Sequence, residues 1–162
     1  MHIQYHSPVL MVKDIEKSRW FYEKVLKQEV EVDHGLHIVF KGRFCLWQAD
    51  YAYSVVFGKS CAQPEKRGCE QLEMYFESDS LDEVFKALKV SGVEFLHEAI
   101  EQPWGQRVFR VYDPDRNVVE IAQPMEAVVL RLLKTGMSEQ EVAQRTSEPI
   151  EMVQEVRRKL AD

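Results

Sequence analysis

The histidines and cysteines, the side chains most apt to ligate a transition metal or attack a substrate, are few and scattered. There are five histidines, His2, His6, His34, His37 and His97, and no two of them form an HxH or HExxH pair. His34 and His37 flank a Gly-Leu turn, where histidines are more often surface residues than ligands. The three cysteines, Cys45, Cys61 and Cys69, include no CxxC. Their odd number argues against a disulfide framework and a structural zinc, and suits reduced thiols in the cytoplasm. No glycine-rich phosphate loop and no GxSxG nucleophile context occurs. Covalent catalysis on a recognisable motif is therefore not written into the chain.

What the sequence does specify is an order of elements. An apolar run ending in Val9-Leu10-Met11-Val12 reads as a strand over Ile3 to Val12. Asp14 is placed as the N-cap of a helix from Ile15 to about Leu26, with Ile15, Ser18, Tyr22, Val25 and Leu26 on its buried face. Val30 and Val32 alternate with acidic residues as a half-buried strand. His37–Phe40 and Phe44–Trp47 follow as strands joined by Lys41-Gly42-Arg43. The apolar segment Tyr51–Phe57 reads as either a strand or a helical turn, and Gly58–Gly68 as a loop.

The pattern then restarts. Leu72, Met74 and Phe76 alternate with Glu73, Tyr75 and Glu77. Asp79 or Ser80 caps a helix with Leu81, Val84, Phe85 and Leu88 buried, ended by Ser91-Gly92. Strands follow around Val93 and Phe95, over Arg107–Tyr112 and over Val118–Ile121, the last two joined by Asp113-Pro114-Asp115-Arg116-Asn117. The helix stripes superimpose, Ile15, Ser18 and Tyr22 on Leu81, Val84 and Leu88. Repeats of this size predict two similar βαβββ modules, at about 1–62 and 69–124, in an α+β fold. Their curved mixed sheets are expected to enclose a barrel-like cavity.

Val12-Lys13-Asp14-Ile15-Glu16-Lys17-Ser18 with Phe21-Tyr22 and Val25-Leu26 resembles the opening strand and helix of the vicinal oxygen chelate superfamily. That superfamily holds glyoxalase I, the bleomycin- and fosfomycin-resistance proteins and the extradiol dioxygenases. Pro103-Trp104-Gly105-Gln106-Arg107 through Asp113-Pro114-Asp115, Asn117 and Glu120 resembles its closing strand pair, and the likeness covers residues 3–124. The resemblance implies the fold more narrowly than the function, since these sites serve isomerases, transferases, dioxygenases and binding proteins.

Metal-using members place one ligand on each of four strands. Carried onto this chain, those positions fall on Ser7, near Trp47, on Glu73 and on Glu120. Only the last two are metal donors, and two carboxylates make a poor transition-metal site. A register shift of one residue would bring in His6 and Gln48 and complete a four-ligand set for Zn, Ni, Mn or Fe. Alternatively, Glu73 and Glu120 are polar cavity-lining residues with Arg107 or Arg110 as partner, because a buried carboxylate needs a cation or donor. By strand parity Ser7, Trp47, Glu73, Tyr75 and Glu120 share the inward face, with Trp104 and Arg110 from the closing segment. Such an aromatic-plus-carboxylate cavity would take a planar or cationic small molecule, unless Trp47 and Trp104 are plain core aromatics.

After Pro124 the composition changes, and 125–162 reads as a helical tail. Met125–Lys134 is amphipathic. Ser138 with Glu141 forms a capping box for a helix ending near Thr146, and Pro149 opens a third helix carrying Ile150, Val153, Val156 and Leu160. The spacing resembles a helix-turn-helix. However, the reading position would be acidic (Glu148, Glu151, Glu155), with Arg157-Arg158-Lys159 only at its end. A packing or dimerisation role, giving a homodimer, fits better than nucleic acid.

The net charge of −6 over 162 residues gives no general attraction to nucleic acid or anionic lipid. No run approaches the ~18 apolar residues of a membrane span, and the first residues lack the pattern of a secretory signal. Two functions remain: a small-molecule binding protein of the bleomycin-resistance type, or a metal-dependent lyase, isomerase or dioxygenase using Glu73 and Glu120. A ligand sensor whose tail contacts DNA or a partner is a third.

Overall fold

The computed structural model describes residues 5–57, 68 and 72–160. By packing, the chain divides into two units. One takes the described residues of Met1–Glu70 together with Asp113–Asn117, and the other Gln71–Tyr112 with Val118–Asp162. Cys61 and Cys69 lie outside the described residues, as does nearly all of the expected Gly58–Gly68 loop.

The first unit runs β1 (Val9–Val12), α1 (Ile15–Arg19), β2 (Val30–Asp33), β3 (His37–Phe40), β4 (Phe44–Gln48) and α2 (Ala49–Phe57). Its four strands are ordered β1-β4-β3-β2, with β1 parallel to β4 and the other pairs antiparallel. The opening strand is shorter than the apolar run predicts. Residues 5–8 stay outside the ladder because Pro8 has no N–H to give, and its carbonyl accepts from Cys45 N at 3.1 Å just before pairing begins. Asp14 caps α1 by accepting from Lys17 N at 3.1 Å. The predicted single helix changes winding at Trp20 and continues as a π-helical stretch, Trp20–Val25. Phe21 and Tyr22 of that stretch are buried, Tyr22 against Phe44 at 5.1 Å between ring centroids. Tyr51–Phe57, open between strand and helix in the sequence, lies in α2, which buries Ala49 and Ala52.

The Asp113–Asn117 turn is part of this unit's core. Tyr22 Oη donates to Asp113 at 2.9 Å, and the same carboxylate accepts from the backbone of Asp115 and Asn117. Asp115 accepts from Lys13 N at 3.0 and 3.1 Å and from Ser18 Oγ at 3.4 Å. Ser18 is thus buried at helical spacing with an acceptor, as a buried hydroxyl requires.

The second unit repeats the plan: β5 (Glu73–Glu77), α3 (Leu81–Ser91), β6 (Phe95–Glu101), β7 (Arg107–Tyr112) and β8 (Val118–Ala122), ordered β5-β8-β7-β6 with β5 parallel to β8. The α+β class and paired βαβββ modules expected from the repeat are therefore present. α3 covers one face, where Phe85, Phe95 and Phe109 meet with centroids 5.2 to 5.7 Å apart. Gly92 ends it at φ +76°, a left-handed cap that a glycine takes without a Cβ penalty.

Three helices follow within the same unit: α4 (Met125–Lys134), α5 (Glu139–Thr146) and α6 (Ile150–Lys159). Val128, Val129, Leu132, Leu133, Val142, Val153 and Val156 form their shared core. The capping box is made, with Ser138 Oγ accepting from Glu141 N at 3.3 Å and Glu141 accepting from Ser138 N at 2.8 Å. Ser138→Ala should lower stability by about 1 kcal/mol, read as a fall in the urea midpoint at unchanged slope.

Candidate functional site

Strand alternation gives the second sheet a second face, away from α3. Registers Tyr75↔Glu120 and Arg110↔Glu120 put these three residues in one row across β5, β8 and β7. Glu73 and Glu77 stand on the same face, two residues either side of Tyr75. Arg110 occupies the middle. Its Nε donates to Glu73 at 2.5 Å, its Nη2 pairs with Glu120, and its Nη1 lies 3.2 Å from His97 Nε2. Glu120 is 6% exposed at the side chain, whereas Glu73 is 41% exposed. Burial holds the Glu120 carboxyl above its usual range, against the opposing pull of Arg110.

Arg107, the other sequence candidate for this partnership, has the wrong parity. It reaches Asp82 on α3 with two bonds, at 2.7 and 3.1 Å. Three residues along a strand reverse the face, so Arg110 alone of the two meets the carboxylates.

At the other end of the row lies an aromatic and amide cluster. Tyr75 Oη donates to Glu77 at 2.8 Å and accepts from Gln106 Nε2 at 2.9 Å. Trp104 Nε1 donates to Gln106 Oε1 at 3.0 Å, and Gln106 Nε2 also reaches the carbonyl of Gln123 at 2.8 Å. Gln106 is buried, while Tyr75 and Trp104 leave part of each ring open. Partial burial and then the Glu77 acceptor push the Tyr75 hydroxyl up to about 12, so it remains a donor at neutral pH.

The structure thus brings Glu73, Tyr75, Trp104, Arg110 and Glu120 into one connected group. Ser7 and Trp47 belong to the first unit. Ser7 Oγ is 3.5 Å from Cys45 Sγ, on the side of β4 where Tyr5, His6, His37, Arg43 and Cys45 help to line a cavity of about 550 Å³. Trp47 meets the His37 ring edge-on at 5.5 Å, and its indole Nε1 is buried without a hydrogen-bond partner. His37 is part of this wall rather than a free surface residue, and burial pushes its imidazole pKa down. Gln48, the alternative ligand, is committed to backbone, accepting from Ile15 N at 3.0 Å and donating to Lys13 O at 2.9 Å.

These donors do not suit a divalent metal. The cation shared by Glu73 and Glu120 is the Arg110 guanidinium, and among the described residues no group of three His, Cys, Asp or Glu side chains is placed to hold a metal ion. Three contributors escape the sequence reading: His97, Glu77 and Gln106. Glu77 follows from the period-2 pattern that marks Glu73 and Tyr75. His97 does not, because register shifts on both sides of it in β6 break the parity on which such a reading depends.

Two βαβββ units, each with one helix-covered face, are the architecture of the vicinal oxygen chelate superfamily. Within it the chain belongs to the glyoxalase-like domain family, whose match spans residues 5–126. A protein of unknown function from Agrobacterium tumefaciens str. C58 is 28% identical, with a TM-score of 0.70 over 76% of this chain and 96% of that one. Two more distant structures share the fold. A glyoxalase-related enzyme from Fulvimarina pelagi is 21% identical, with a TM-score of 0.61 over 76% and 90% of the two chains. A lactoylglutathione lyase from Agrobacterium tumefaciens is also 21% identical, with a TM-score of 0.55 over 72% and 91%. Comparison with curated proteins gives no match. Among the described residues, no helix is long and apolar enough to cross a membrane.

Proposed function

We propose that this chain is a small-molecule binding protein of the glyoxalase/bleomycin-resistance type, and that the open face of its second sheet receives a planar organic cation. The observation that carries the reading is Arg110, which fills the space between Glu73 and Glu120 where a metal-dependent relative would need its ion. With Arg110 counted, Glu73, Glu77 and Glu120 still leave the face with an excess of negative charge. The half-open rings of Tyr75 and Trp104 stand beside those carboxylates. A flat cation gains there from stacking, cation–π attraction and a carboxylate partner together. A cytoplasmic homodimer completes the proposal, since members of the superfamily often pair and the thiol of Cys45 is free.

A thermal-shift series tests it. Proflavine and ethidium, planar and cationic, should raise the melting temperature by roughly 5–10 °C at about 100 times Kd. Fluorescein, planar and anionic, should not. Trp104→Ala should remove most of the shift. Equal shifts from cation and anion, or an undiminished shift in Trp104→Ala, would count against this face as the site.

A further inference from the structure

We propose that α4 and α5 hold the Trp104–Gln106 turn in its binding position, with Arg131 as the positioning residue. The value of that position rests on the binding role given above to Trp104 and Gln106. The grip itself is a matter of geometry. The turn closes on itself through Gln102 N to Gln106 O and Gly105 N to Gln102 O, both 2.8 Å. Gly105 sits at φ +88°, and a Cβ there would lie 3.3 Å from Leu132 and 3.5 Å from Val128 of α4. The absence of a side chain at Gly105 is what lets α4 lie directly on the turn.

Polar contacts then fix it. Arg131 of α4 donates through Nη2 to the carbonyl of Gly105, the residue between Trp104 and Gln106. Its Nη1 reaches Glu101 at 3.4 Å, and Arg145 of α5 reaches the other oxygen of Glu101 at 2.8 Å. From the opposite side Gln106 donates to the carbonyl of Gln123, which stands just before Pro124 and the start of α4. The turn that carries Trp104 and Gln106 is therefore held on both flanks, through the Gly105 carbonyl to α4 and through Gln106 to the backbone just before α4. Nearly all of α4 and the whole of α5 lie beyond the family match, which ends at residue 126. The tail thus adds to the common fold a support aimed at one turn of the site.

The test labels the protein with 5-fluorotryptophan and follows the fluorine resonances of Trp20, Trp47 and Trp104, the last assigned from Trp104→Phe. Arg131→Ala should shift or broaden the Trp104 signal and leave Trp20 and Trp47 in place. Arg131→Lys, which keeps a cation and a donor, should recover most of the wild-type position. Proflavine should bind at least fivefold more weakly to Arg131→Ala, and Arg131→Ala should add nothing in a Trp104→Ala background. An unmoved Trp104 signal in folded Arg131→Ala would overturn the proposal. If Arg131→Ala unfolds, Glu101→Gln removes the ion pairs with Arg131 and Arg145 alone and must displace Trp104 selectively, or the proposal fails. A displaced Trp104 with undiminished proflavine affinity would leave the positioning intact and refute the binding role of the turn.

Discussion

Replacing Arg110 with alanine should destabilise the protein by about 2–3 kcal/mol at neutral pH, below the ~3–5 kcal/mol for breaking a fully buried ion pair, because Arg110 is itself partly exposed. The loss comes mainly from Glu120, left nearly buried without its guanidinium partner. It should also depend on pH in a definite direction. The Glu120 carboxyl is already raised by burial, and Arg110 is the first influence opposing that rise. Without Arg110 it rises further, so the folded state binds the proton more tightly than the unfolded state. The stability from that proton is present at low pH and is lost as pH rises through the raised pKa. The gap between Arg110→Ala and the parent should therefore narrow from pH 8 to pH 5 in urea titrations. Glu120→Gln combined with Arg110→Ala should remove most of the pH dependence.

A second substitution tests the core that carries the site. Phe109 is fully buried on β7, next to Arg110, and meets Phe85 and Phe95 on the α3 side of the sheet. Phe109→Ala removes one ring of that mutually packed trio and leaves a cavity. A loss of about 3–5 kcal/mol is expected, or roughly 10 °C in melting temperature. Phe109→Leu, which refills part of the volume, should recover more than half of it. Calorimetry measures both. Because Phe109 and Arg110 point to opposite faces, the leucine variant should keep proflavine binding while Arg110→Ala weakens it.

How far these features could be read from the sequence depends on the range of the interactions that set them. The starts of the second and third tail helices were legible, because Ser138, Glu141 and Pro149 act on their own or adjacent turns. The strand faces were legible where strict alternation held, as on β5, where Glu73 and Tyr75 share a face; Glu120 lies on β8, which is buried throughout, and was marked only by the family resemblance. Prediction weakened where one residue changed the count. Pro8 shortened β1, the change of winding at Trp20 divided the first helix, and the irregular pairing of β6 hid His97. The choice between Arg107 and Arg110 could have been made from parity. The link from Arg131 to Gly105 could not, since it joins residues 26 apart in sequence through a packing that no local pattern encodes.

In the proposed site Arg110, rather than a metal ion, holds Glu73 and Glu120 in place for an organic cation. Fluorescence titration with proflavine in EDTA addresses it directly. Saturable one-site binding is expected without added metal. Glu73→Gln should weaken that binding about tenfold, corresponding to ~1.4 kcal/mol. Arg110→Ala should weaken it further. Binding that is absent in EDTA, appears with nickel, zinc, manganese or iron(II), and disappears in Glu120→Ala would contradict the claim and restore the two carboxylates as metal ligands.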